Sequence, residues 1–303
     1  MDKSKFQGIF PAFYAPYGKD GEISLEAVKQ FTLHLIAKGV NGLYVGGSSG
    51  ECIYQSVAER KILLEEVMKW AKGKVTVIAH VAANNTMDSC SLAAHAEGLG
   101  VDAIAAIPPI YFHLPEYAIA DYWNAISAAA PNTDFIIYNI PQLAGVALTP
   151  SCLKEMIKNP RVIGVKNSSM PTVDIQIFKA VGGENFVVFN GPDEQLSAGL
   201  AMGADGGIGG TYGVMPELYL KIKECMDQGD VRRACALEMQ ANEIIRTLCS
   251  CRGNLYAVIK AIIKIRDGID LGSVRAPLPA LVDEDMPKIM EAVRLIDATV
   301  KAL

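Results

Sequence analysis

The sequence predicts a parallel α/β fold, namely a (β/α)8 TIM barrel with a C-terminal helical extension. Short β-branched or aromatic runs recur eight times, spaced by about 20–35 residues. Several of them are apolar without alternation, as strands buried on both faces of a parallel sheet must be. Helical stretches with recognisable starts and stops lie between them, and eight strand–helix units suggest a closed barrel rather than an open one. A doubly wound open sheet is the structural alternative.

Taken in order, the first run covers residues 8–13, and Ser24 opens the helix after it. Val28, Phe31 and Leu35 share one face of that helix, and Gly39 ends it. The second run, 42–46, precedes the capping box Ser56/Glu59. Leu63, Leu64, Val67, Met68 and Ala71 then form an apolar stripe with Gly73 as the stop. Further runs fall at 75–81, 102–107, 134–138, 162–166, 186–190 and 205–209. Phe135-Ile136-Ile137-Tyr138 and Val162-Ile163-Gly164-Val165 are the clearest of the continuously apolar ones. From about residue 215 the chain reads as helical, with breaks at Gly229, Gly253 and Gly268 to Pro279. The expected division is a barrel over 1–225 and a helical extension over 226–303.

Composition narrows the function. The chain has 303 residues, 28 Lys+Arg against 33 Asp+Glu, and a net charge of −5; half is hydrophobic and 20% is charged. This is no disordered tail. Without basic runs it is a poor nucleic-acid binder, and no apolar run approaches the ~18 residues of a membrane span. The start, MDKSKFQGIF, lacks the apolar segment and cleavage site of a secretory signal. The seven cysteines are odd in number and follow no framework spacing, so a cytoplasmic address with reduced thiols is expected. Cys249 and Cys251, two apart on a helix, point to opposite sides. No histidine stands at ligand spacing from another, so no metal is expected.

In a (β/α)8 barrel the residues just after each strand face the active site. That rule selects Gly46-Gly47-Ser48-Ser49-Gly50-Glu51, Pro108-Pro109-Ile110-Tyr111, Tyr138-Asn139-Ile140-Pro141, Lys166-Asn167-Ser168-Ser169, Asn190-Gly191-Pro192-Asp193-Glu194 and Gly209-Gly210-Thr211-Tyr212. Lys166 ends an apolar strand. Desolvation there favours the neutral amine, which can attack a carbonyl to form an imine; a rim salt bridge to Asp193 or Glu194 explains the lysine equally. Tyr138 is either a proton shuttle for that imine or an aromatic barrel-core residue. Gly46 to Glu51 suits an anion such as a carboxylate, or is an ordinary tight loop. Asp193 and Glu194 are either sugar-hydroxyl acceptors or first-turn acids of the next helix. Gly207-x-Gly209-x-x-Tyr212 fails the dinucleotide fingerprint, and no Walker loop is present.

In combination these segments, with Tyr44-Val45 and Gly203 to Gly209, resemble the N-acetylneuraminate lyase branch of the dihydrodipicolinate synthase superfamily of class I aldolases. The resemblance runs along essentially the whole chain. It implies cleavage of sialic acid to pyruvate and N-acetylmannosamine, without cofactor, on a homotetrameric barrel. Lys166 then matches the Schiff-base lysine and Tyr138 the proton-transferring tyrosine. Ser48 and Ser49 match the pair that holds the pyruvyl carboxylate, with Ser48 also in the tyrosine relay. Tyr111 matches a tyrosine that completes this relay across a subunit interface. Ser168, Gly191, Asp193 and Glu194 match positions along the sugar tail. The chain departs from the family pattern twice. Leu143 stands where the synthases carry an arginine for the second substrate's carboxylate, which weakens the synthase reading. Gly210 stands where the lyases carry a serine facing the sugar. Two alternatives remain open: another pyruvate-dependent aldolase acting on a different sugar-derived 2-keto acid, and a catalytically retired barrel that binds pyruvate or a sugar.

Overall fold

The computed structural model describes residues 4–303; the first residues of the start discussed above, 1–3, lie outside them. Eight strands form one parallel sheet: β1 (Gly8–Pro11), β2 (Gly42–Val45), β3 (Thr76–His80), β4 (Ala103–Ala106), β5 (Asp134–Asn139), β6 (Val162–Asn167), β7 (Val187–Asn190) and β8 (Gly206–Gly209). Each lies within a residue or two of its expected span. Their order, β1-β8-β7-β6-β5-β4-β3-β2, runs round a barrel. It closes where Ala12 bridges Tyr44 in parallel and the Phe13 N–H donates to the Tyr44 carbonyl at 2.8 Å. The open doubly wound sheet is therefore not the fold.

The helices are α1 (Leu25–Ala37), α2 (Val57–Ala71), α3 (Thr86–Leu99), α4 (Glu116–Ala129), α5 (Pro141–Ala144), α6 (Pro150–Met156), α7 (Val173–Gly182), α8 (Leu196–Ala201), α9 (Pro216–Asp227), α10 (Val231–Cys249), α11 (Leu255–Asp267) and α12 (Met286–Lys301). Local chemistry sets their ends. At α2 the Glu59 N–H donates to Ser56 Oγ at 3.2 Å and the Ser56 N–H to Glu59 Oε2 at 2.8 Å, the reciprocal box expected there. Ser24 caps α1 through the Ala27 N–H.

Two apolar layers hold the molecule. Inside the barrel, Phe10, Tyr44, Ile78, Ile136, Tyr138, Phe189 and their neighbours fill the interior, with Phe10 and Phe189 packed edge-to-face at 5.1 Å. Outside it, the second face of each strand packs on the helices through residues such as Val45, Val77, Ile137 and Val165. This double burial is why the strands show no alternation. Helices α10, α11 and α12 follow the barrel helices, and side chains of α10 and α11 reach the cavity at the carboxyl ends of the strands.

Candidate active site

Strands β5 and β6 set the centre of the site. Their register pairs Tyr138 with Lys166, so two successive strand ends deliver the two side chains to one point. Lys166 is 5% exposed. Its Nζ lies 3.9 Å from the centroid of the Tyr138 ring and 4.2 Å from that of Tyr44. The expected alternative, a rim salt bridge, is absent: among the described residues no carboxylate pairs with this amine. Burial holds its pKa down at about 7, against the opposing pull of Asp193 and the Cys52 thiol. Tyr138 is pushed the other way, to about 12, chiefly by burial; the Ser48 and Ser168 hydroxyls oppose this by hydrogen bonding to its oxygen.

The β2 loop forms the side wall. Gly46 adopts φ +75°, a left-handed turn that glycine makes without strain, and two short 3-10 turns follow at 48–50 and 52–54 rather than a direct entry to helix. The N–H groups of Gly50 and Glu51 are spent on the carbonyls of Gly47 and Ser48 at 3.0 Å each. Ser48 and Ser49 line the cavity, and Ser49 Oγ lies 3.0 Å from the Tyr256 hydroxyl.

Behind Lys166 the β6, β7 and β8 loops interlock. The Gly191 N–H donates to the Asn167 carbonyl at 2.7 Å, and a Cβ at 191 would stand 2.7 Å from that same backbone oxygen, so the position calls for glycine. The buried Asp193 carboxylate accepts from the Gly210 N–H at 3.1 Å and from the Thr211 N–H and hydroxyl at 2.5 Å each. Burial still raises its pKa to about 6 against these donors. Asp193 thus opens a 3-10 turn, as a first-turn acid, and its carboxylate braces the β8 loop. The adjacent Glu194 is exposed, and its carbonyl accepts from Asn242 of α10 at 3.0 Å.

The cavity has a volume of about 280 Å³. Of the ten residues given site roles from the sequence, nine line it: Ser48, Ser49, Tyr138, Lys166, Ser168, Gly191, Asp193, Glu194 and Gly210. Tyr111 does not. It is 88% exposed at φ +79°, with its ring edge-to-face on Phe112, away from its own chain's cavity. Gly210 faces the cavity: a Cβ there would lie 3.2 Å from Ser49 Oγ and 3.3 Å from Tyr256 Oη. Leu143 lines the cavity at its rim and is 61% exposed.

Sequence reasoning missed several contributors. Tyr44 and His80 sit against Tyr138 edge-to-face, at 5.7 and 6.0 Å. His80 is held neutral by burial, which takes its pKa down to about 3, and its Nδ1 is 2.8 Å from the Gly46 carbonyl. Ile245, Cys249, Leu255 and Tyr256 come from α10 and α11. Tyr44 lay within a recognised motif, which was a usable signal. The four helical residues carried none beyond an amphipathic pattern. Among the described residues no group of His, Cys, Asp or Glu is placed to hold a metal.

Fold and site together define a (β/α)8 barrel carrying a buried, carboxylate-free lysine at a strand end. The profile of the Dihydrodipicolinate synthetase family matches residues 5–296, and the chain belongs to that family. It is 66% identical over 300 residues to the N-acetylneuraminate lyase of Mediterraneibacter gnavus, covering 99% of this chain and 95% of that one. Among solved structures, wild-type Ruminococcus gnavus sialic acid aldolase superposes with a TM-score of 0.98 at 65% identity, covering 99% of both chains. A catalytic lysine mutant of the same aldolase superposes equally well, covering 98% of both.

Proposed function

We propose that this protein is a class I aldolase that cleaves N-acetylneuraminate to pyruvate and N-acetylmannosamine. The observation that carries the reading is the environment of Lys166: a buried amine with a pKa of about 7, beside a tyrosine in register with it. The 66% identity to a lyase of that name over almost the whole chain supports the substrate.

The neutral Lys166 amine attacks the ketone carbon of the open-chain sugar acid. Tyr138 protonates the departing hydroxyl of the carbinolamine, water leaves, and an iminium remains. The phenolate so formed is a strong base, as its raised pKa requires, and it takes the proton from the hydroxyl two carbons beyond the imine carbon. The C–C bond between breaks, its electron pair passing into the iminium to give an enamine, and N-acetylmannosamine departs. Tyr138 returns its proton to the enamine carbon, and water hydrolyses the iminium to release pyruvate. Ser48 and Ser49 hold the carboxylate throughout, Ser48 also steers the Tyr138 proton, and Ser168, Gly191, Asp193, Glu194 and the Gly210 loop shape the tail pocket. Asp193 acts there mainly by fixing the β8 loop.

The assembly belongs to the same reading. Tyr111 and Phe112 are exposed aromatics beside the mouth of the barrel, which suits burial against a second copy in a homotetramer, where Tyr111 would complete the relay. Residues 226–303 act as an extension that lends α10 and α11 to the cavity wall. No helix among the described residues is long and apolar enough to cross a membrane; a cytoplasmic address is proposed from the free thiols.

A second reading, an aldolase for a different polyhydroxy aldehyde, is favoured by one feature, the missing side chain at Gly210 beside Tyr256. Pyruvate release from a panel of 2-keto acid sugars, with condensation of pyruvate and aspartate semialdehyde as a separate arm, decides between them. N-Acetylneuraminate is expected to give the highest kcat/KM. Aspartate semialdehyde is expected to react very poorly, because Leu143 offers its carboxylate no guanidinium. A preferred substrate other than N-acetylneuraminate, or efficient condensation with the semialdehyde, would replace the assignment.

A further inference from the structure

One helix of the C-terminal extension fastens the β2 loop at two points. Tyr256 and Lys260 lie four residues apart on α11 and so share a face. The Tyr256 hydroxyl meets Ser49 Oγ at 3.0 Å, and Lys260 Nζ donates to Glu51 Oε1 at 2.7 Å. The two grips therefore fall on alternate residues of the loop, from partners more than 200 positions along the chain.

The second grip is wholly buried, with both side chains fully shielded from solvent. Every available charge in it is answered. Lys260 also donates to the Ser273 carbonyl at 2.8 Å and lies 4.7 Å over the Tyr17 ring; Glu51 Oε2 accepts from the Arg275 N–H at 2.9 Å. Glu51 itself holds φ +57°, a left-handed conformation that a non-glycine residue keeps only when its surroundings impose it. A buried ion pair gives little net stability, but it fixes one arrangement over others. Here the arrangement fixed is the loop that carries Ser48 and Ser49.

We propose that α11 is the positioning element of the anion loop, with Tyr256 and Lys260 holding Ser49 and Glu51 so that the serine hydroxyls face the pyruvyl carboxylate before substrate arrives. This rests on the reading of Ser48 and Ser49 as the carboxylate site. Tyr256 is then a positioning residue that acts through Ser49. Its other conceivable role, direct contact with the sugar tail, makes a different prediction, because pyruvate has the carboxylate and no tail.

The test is borohydride trapping of pyruvate on the enzyme, measured against pyruvate concentration, for wild type, Tyr256→Phe, Ser49→Ala and the double variant. Tyr256→Phe removes one hydroxyl and keeps the ring packing, so it folds, whereas Lys260→Met would strand the buried Glu51 carboxylate and confound pyruvate binding with stability. Tyr256→Phe is expected to raise the half-saturating pyruvate concentration about 2- to 12-fold, the range for one neutral hydrogen bond, with the limiting trapping rate unchanged. Ser49→Ala should raise it at least as far. The double variant should be no worse than Ser49→Ala, since nothing is left for Tyr256 to hold. Additive effects, or a Tyr256→Phe variant whose pyruvate saturation is normal while KM for N-acetylneuraminate rises, would overturn the proposal in favour of tail contact. If Ser49→Ala weakens pyruvate and Tyr256→Phe does not, the clamp alone fails. If Ser49→Ala has no effect on pyruvate, the carboxylate assignment fails and takes the clamp with it.

Discussion

Burial without a partner carboxylate takes the Lys166 amine down to about 7, and nucleophilic attack at neutral pH depends on that. Only the neutral amine attacks a carbonyl, so kcat/KM should fall close to tenfold per unit as pH drops below about 7, through protonation of the free enzyme. A pH–rate profile checks this; a flat profile from pH 5 to 7 would mean the amine is not the titrating nucleophile. Tyr138→Phe keeps the ring over Lys166 and removes the proton carrier. Its kcat should drop by ~10²–10⁴, the usual share of general acid–base catalysis, while trapping of pyruvate remains detectable. Near-normal kcat would make Tyr138 a packing residue. At Gly210 the backbone does not need glycine. Its φ lies outside the left-handed region, and its N–H and carbonyl are held by Asp193 and Tyr14. Gly210→Ser should therefore fold, crowd the Ser49 and Tyr256 hydroxyls by only a few tenths of an ångström, and change KM for N-acetylneuraminate by about 2- to 12-fold with kcat nearly kept. Loss of folding, or collapse of kcat at constant KM, would place the role of Gly210 in the backbone.

Among the elements, those ruled by local chemistry were legible in the sequence. The Ser56/Glu59 box, the Ser24 cap and the apolar runs of β5 and β6 appear where the residues put them, because caps and strand cores are decided within a few positions. The inward face of each strand was not legible. A run such as Gly42–Val45 is buried on both sides, so nothing in it tells that Tyr44 points at Lys166 while Val45 packs on helices. Tyr256 was hidden for a different reason. Its partner Ser49 lies 207 residues away, and periodicity within α11 reports only that one face is apolar. The Lys260–Glu51 pair on the same helix gives a stability test. Lys260→Met leaves a carboxylate buried and unpaired, so unfolding free energy should fall by about 3–5 kcal/mol. Denaturant titration measures this; a change within ±0.5 kcal/mol, the size of an ordinary surface effect, would show that the pair is not a buried constraint.

For the molecule as a whole, the regular recurrence of strand and helix pointed to the barrel, and the rule that strand ends face the site then selected segments that hold twelve of the lining residues. What recurrence could not supply is where the chain goes after the eighth unit. Helices α10 and α11 return across the strand ends and complete the cavity, with Ile245, Cys249, Leu255 and Tyr256 as wall. Tyr111 marks the other limit: it belongs to the motif pattern, yet its place in one chain is outward, and its proposed role exists only in an assembly. An imine on Lys166 is read out by reducing the enzyme with borohydride in the presence of pyruvate and mapping the modified peptide by mass spectrometry. One pyruvate-derived adduct per chain is expected, on Lys166, with activity lost in proportion. An adduct on another lysine, or full activity after reduction with none formed, would contradict it.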